Sequence, residues 1–163
     1  MIIKKIIQCR IFVLLLLMVT FSMITFPSPA SAALGDDVAT VQTDLSRMKG
    51  ALRTSDSGPY TIHEITMPTG TVVKEYVSTA GKVFAVTWQG PLLPDLRQLL
   101  GSHFEKFSQA VKTQKRNHPG RRGPLLIQEP GLVVKTGGRM RAYIGRAYVP
   151  ELVPQGVSIE ELQ

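Results

Sequence analysis

Residues 60–89 read Tyr60-Thr-Ile-His-Glu-Ile-Thr66-Met-Pro-Thr-Gly70-Thr-Val72-Val-Lys-Glu-Tyr-Val-Ser78-Thr-Ala-Gly81-Lys-Val83-Phe-Ala-Val-Thr-Trp-Gln89. Three runs, Tyr60–Thr66, Val72–Ser78 and Val83–Gln89, are rich in β-branched and aromatic residues, which suit a pleated, half-buried surface. Met67-Pro68-Thr69-Gly70 and Ser78-Thr79-Ala80-Gly81 join them. Proline second in the first turn and glycine fourth in both fit a type I turn closed by a left-handed glycine. The spacing predicts an antiparallel meander whose register can be counted from its turns. Thr66 should face Val72, Glu64 face Lys74, His63 face Glu75 and Ile62 face Tyr76. In the second hairpin Tyr76 should face Phe84, and Val72 should face Trp88. Tyr60, Ile62, Val72, Tyr76, Phe84, Val86 and Trp88 would then share one core face, with His63, Glu75 and Thr87 on the other.

Outward from the meander, Val38, Val41, Leu45, Met48 and Leu52 recur every three or four residues and predict an amphipathic helix over 36–53, with a loop at 54–59. Pro91 and Pro94 introduce a second helix, about 95–112. Its stripe is Leu96, Leu99, Leu100, Phe104, Phe107 and Val111, broad enough to pack on a sheet. Residues 112–124 are basic and breaker-rich and read as a flexible loop. Leu125–Gln128, Leu132–Lys135 and Met140–Val149 read as further strands, the last two turning through Gly137-Gly138. The tail from Pro150 carries one helical turn at 158–162. The class is α+β: one small domain on an antiparallel sheet with two amphipathic helices. Whether the late strands join the meander is left open.

The N-terminus is an address. Lys4, Lys5 and Arg10 precede an uncharged run from Ile11 to Phe26, and Ala30-Ser31-Ala32 supplies the small-x-small pattern accepted by signal peptidase. The run is 16 residues long, short of the roughly 20 that span a bilayer, so cleavage after Ala32 is favoured over an uncleaved anchor. The expected products are a signal peptide, 1–32, and a mature domain, 33–163. Three of the 19 Lys+Arg and none of the 12 acids leave with the signal, giving a mature net charge of +4. The single cysteine, Cys9, leaves too, which excludes a disulfide, thiol catalysis and Cys-ligated zinc from the mature chain.

Five features carry candidate chemistry. Ser46-Arg-Met-Lys49 and Lys135-Thr-Gly-Gly138 match two signatures of serine penicillin-binding enzymes, but Ser46 falls inside a helix. His63 beside Glu75 on paired strands could orient and activate an imidazole, as the start of a general-base or metal site, though no third ligand is evident. His103 lies in the apolar stripe of the second helix, where a partly buried core histidine is the ordinary reading. The loop's Lys115, Arg116, Arg121 and Arg122 could meet an anionic surface. The same holds for Gly137-Gly138 beside Arg139 and Arg141. The loop lacks aromatic residues that would stack on bases, which argues against nucleic acid. No metal or cofactor is expected.

The phrases Gly70-Thr-Val-Val-Lys-Glu-Tyr-Val-Ser78, Phe84-Ala-Val-Thr-Trp-Gln-Gly-Pro91, Pro94-Asp-Leu-Arg-Gln-Leu-Leu-Gly101 and Gly138-Arg-Met-Arg-Ala-Tyr-Ile-Gly-Arg-Ala-Tyr148 resemble a family of short exported proteobacterial proteins, domain of unknown function 2844. The resemblance covers almost all of the mature chain. It implies a periplasmic or envelope setting and brings no activity, cofactor or catalytic residue. The functional expectation is a non-catalytic binding module meeting an envelope protein or an anionic membrane. The alternative is a small periplasmic hydrolase or metal-assisted enzyme using His63 and Glu75.

Overall fold

The computed structural model describes residues 34–120 and 123–162, which fall within one compact unit. The signal segment with its Ala30 and Ala32 cleavage site, and Arg121 and Arg122, lie outside the described residues. The strands are β1 (Ala51–Asp56), β2 (Tyr60–Thr66), β3 (Val72–Ser78), β4 (Val83–Gly90), β5 (Leu125–Glu129), β6 (Leu132–Arg139) and β7 (Ala142–Tyr148). They form one antiparallel sheet in the order β1-β2-β3-β4-β7-β6-β5. The late strands thus join the meander through β4 and β7. The helices are α1 (Val41–Met48), α2 (Leu96–Leu100) and α3 (Phe104–Asn117). None of the described helices is long and apolar enough to cross a membrane.

The first hairpin has the register counted from sequence: Thr66 pairs with Val72, Glu64 with Lys74, His63 with Glu75 and Ile62 with Tyr76. Both turns close as expected, with Gly70 at φ 83° donating to Met67 O and Gly81 at φ 74° donating to Ser78 O, each at 2.9 Å. The second hairpin keeps its turn-set register only as far as Val77 opposite Val83. There a bulge inserts Phe84, so Tyr76 pairs with Ala85 and Val72 with Gln89, one residue away from the expected Phe84 and Trp88.

That extra residue changes which face the rest of β4 serves, because side chains alternate with period two. The single expected core face is in fact divided between two cores. Val86 and Trp88 turn to the helix side, where Ile65, Val73, Val77, Val134 and Ala147 pack with Met48, Leu99, Leu100 and Phe107. Tyr76, Phe84 and Ala85 lie on the opposite face with Tyr60 and Ile62, covered by Leu152, Val153, Val157, Ile159 and Leu162 of the tail. Tyr60 meets Tyr76 and Phe84 edge-on at 5.7 and 5.8 Å between ring centroids. The tail has a 3-10 turn at Ile159–Glu161 and is tied to β7 by Arg146 Nη1, which donates to Ile159 O at 2.7 Å.

Other boundaries move for local reasons. The first helix stops at Met48, not at residue 53. Lys49 takes a left-handed φ of 51°, and a Cβ on Gly50 would stand 2.8 Å from Thr66 O, so residues 51–56 leave the helix and pair with β2 as an edge strand. The second helix is broken by a 3-10 turn at Gly101–His103, where Gly101 takes a positive φ. Its second part then continues to Asn117, past the expected end at 112, and Pro119-Gly120 follow. Lys112, Lys115 and Arg116 are therefore helical and not part of the loop. The cations suit the negative end of the helix dipole. The β6–β7 turn is Met140-Arg141, with Arg141 at φ 63°. Gly137 and Gly138 lie inside β6 opposite Ile144 and Tyr143. In the sheet centre Gly145 gives Trp88 its place: a Cβ there would fall 2.2 Å from the indole ring.

Candidate functional site

On α1, Val41, Asp44, Leu45 and Met48 share the face that packs on the sheet, so an acid stands inside an apolar stripe. Beneath it β3 presents Glu75 between Val73 and Val77 on the same sheet face. The two carboxyls meet in the core, Asp44 0% and Glu75 2% exposed. From α2, Gln98 Nε2 donates to Asp44 Oδ1 at 2.6 Å. Among the described residues, Asp44 Oδ2 and Glu75 Oε2 are buried with no hydrogen-bond partner.

Burial makes charge expensive at both groups and is the first cause of their shifts. Glu75 is pushed up to about 9, by burial and then by the neighbouring Asp44 charge and hydrogen bond. Asp44 is raised to about 6 by burial, against the opposing effects of Gln98, Glu75 and Arg47. At neutral pH the pair therefore holds one proton, with the Glu75 carboxyl donating to the Asp44 carboxylate. This proton ties α1, β3 and α2 together. It lies under a helix in the interior of the domain.

His63 and Glu75 are in register, as the sequence reading required, but they do not form the expected working pair. Glu75 is committed to Asp44. His63 sits half-buried with Nδ1 3.3 Å from Thr54 Oγ1, and burial lowers its pKa. No group of three His, Cys, Asp or Glu that could hold a metal occurs among the described residues. Ser46 Oγ donates to Gln42 O on the exposed side of α1. Lys135 lies on the tail side of the sheet, since its neighbour Val134 faces the helix-side core. Ser46 and Lys135 are thus on opposite sides, and the two penicillin-binding signatures do not converge. His103 ends the 3-10 turn, with Nε2 3.2 Å from where a Cβ on Gly35 would be. Burial and Lys106 lower its pKa, against Asp36 and Glu151.

A different set of residues gathers at one end of the sheet, where β2, β4 and β6 end and β1, β3, β5 and β7 begin. Leu92 and Leu93 emerge there in the loop after β4, held by Thr71 Oγ1, which donates to Leu92 O at 2.8 Å. Met140, 86% exposed, forms the tip of the neighbouring β6–β7 hairpin between Arg139 and Arg141, with exposed Ile144 behind it. Lys49 precedes β1 at the same end. The only acid among the described residues of these loops is Asp95, whose carboxylate caps α2 by accepting from the Arg97 and Gln98 N–H groups. The opposite end carries Asp36, Asp37, Asp56, Glu129 and Glu151, with Lys82 and Lys106 among them. Sequence reasoning singled out Arg139 and Arg141 but not the leucines, which only the pairing of β4 with β7 brings beside them.

The fold defines a two-core α+β domain, helices on one face of a seven-stranded antiparallel sheet and the chain's own tail on the other. The chain belongs to the family Protein of unknown function (DUF2844), whose match covers residues 30–162. Searches of the curated proteins and of the solved structures each found no match.

Proposed function

We propose that the domain is a non-catalytic binding module of the cell envelope, exported by its N-terminal signal to the periplasm, and that it docks on an anionic surface through the apolar, basic end of its sheet. The observation that carries this reading is the hairpin tip, where a nearly fully exposed Met140 stands between two arginines with Ile144, Leu92 and Leu93 nearby. Exposed apolar groups in a positive rim are costly in water and suited to a negatively charged, partly apolar partner. The charge separation along the sheet axis would orient the approach, with the acidic end facing away.

Sedimentation with phospholipid vesicles tests this. Binding should require anionic lipid, weaken with salt, and fall by about fivefold for each of Arg139→Gln and Arg141→Gln, since a cation near an anionic membrane is worth about 1 kcal/mol. Met140→Ser should weaken binding independently of salt. Equal binding to neutral vesicles, or none at low ionic strength, would remove the reading. Detection of the processed N-terminus in a periplasmic extract tests the setting.

A further inference from the structure

A second surface lies along the other free edge. Among the described residues β5 pairs with β6 only, and α3 runs beside it, leaving an open groove of about 440 Å³ between helix and strand. We propose that this groove binds an extended polypeptide segment of a partner protein, which adds to β5 as an eighth strand.

The main chain of β5 is arranged for it. Glu129 and Leu132 flank the two-residue turn Pro130-Gly131, and residues flanking such a turn bond to one another. Glu129, Ile127 and Leu125 therefore direct their N–H and C=O groups to β6, and those of Leu126 and Gln128 point outward. The Leu126 carbonyl shows this directly, accepting from the Gln114 side chain of α3 at 3.4 Å. Gln114 is held by that contact, and among the described residues its Oε1 is buried without a partner. An arriving strand can supply the missing donor, as well as partners for Leu126 and Gln128.

The lining has matching chemistry. Gln109, Gln114 and Asn117 from α3 are amides, able to donate to and accept from a peptide main chain. Lys106 is already engaged with Pro130 O at 2.6 Å. Exposed Leu126 offers an apolar contact on the tail-side face of the sheet. The opposite edge strand, β1, is built otherwise. It carries Arg53 and Asp56, charges of the kind that keep an edge from pairing, whereas β5 reads Leu-Leu-Ile-Gln before its first charge. Helix beside free edge is an established geometry for strand addition.

The test is selection of a phage-displayed library of random seven-residue peptides on the purified protein, with counter-selection on the Leu126→Pro variant. Proline at 126 removes an outward N–H and leaves the β5–β6 ladder intact. Enriched peptides should bind the native domain at least tenfold more tightly than the variant. They should perturb the amide signals of Leu126 and Gln128 and the Gln114 side chain. Methylating alternate backbone nitrogens of the peptide should abolish binding, a readout that holds even if the variant fails to fold. The proposal is overturned if no peptide is enriched, if backbone methylation is tolerated at every position, or if the perturbed signals lie at the Arg139–Arg141 hairpin instead.

Discussion

Replacing Glu75 by glutamine should uncouple the stability of this domain from alkaline pH. The native carboxyl holds its proton up to about pH 9, against 4.5 for a free glutamate, so between these values the folded state binds a proton that the unfolded state has released. Its contribution to stability is complete below pH 4.5, declines as pH rises, and is gone once pH passes about 9. Each pH unit within that window costs about 1.4 kcal/mol. The lower part of the window is shared with Asp44, which behaves alike up to about 6, and with His63 and His103, whose lowered values give the opposite slope. Between pH 7 and 9 Glu75 titrates alone among these groups, for a loss of about 2 kcal/mol, a substantial share of the roughly 5–15 kcal/mol typical of a domain. Glutamine is neutral at every pH and keeps an N–H to give to Asp44. Urea unfolding at pH 7, 8 and 9 should show wild-type stability falling steadily while the Glu75→Gln protein stays level and is the more stable of the two at pH 9. Parallel slopes for the two proteins would refute the shared proton.

Gly145→Ala should cost about 1–3 kcal/mol by driving a methyl into the Trp88 ring, measured by denaturation and accompanied by a change in tryptophan fluorescence. Arg146→Ala should loosen the tail, lowering stability by about 1–2 kcal/mol and exposing residues 153–157 to limited proteolysis. Deleting Phe84 removes the bulge but leaves Val86 opposite Glu75 and Trp88 opposite Val73 on the helix side, so only the tail-side core loses a ring. The loss should lower stability by about 3–5 kcal/mol in urea unfolding, and a cost below about 1 kcal/mol would show that Phe84 does not hold that core together.

The meander was legible because turn chemistry is local: Gly70 and Gly81 announce their own backbone conformation, and the first hairpin register follows by counting. The bulge was not, since nothing within Val83-Phe84-Ala85 separates an extra residue from a regular strand. It is fixed by two cores competing for opposite faces of β4. Residues 51–56 escaped because an exposed edge strand needs no alternation, and Leu52 happened to continue the helical spacing. Gly50 was the available signal. At the candidate site, Asp44 could have been found as the acid within the α1 stripe. Its meeting with Glu75 depends on how that helix lies across the sheet. Ser46 and Lys49 matched a pattern in letters only, because one face of a helix cannot reach the far side of a sheet.

The strand order bears on the time at which the sheet can close. β4 stands in the middle, and its second neighbour, β7, is the last of the described strands, so residues 91–141 must be synthesised before the central strand loses its open edge. The tail that shuts the aromatic core emerges later still. A growing polypeptide of this topology carries an unfinished sheet until Tyr148 has been made, and stays pliable until then.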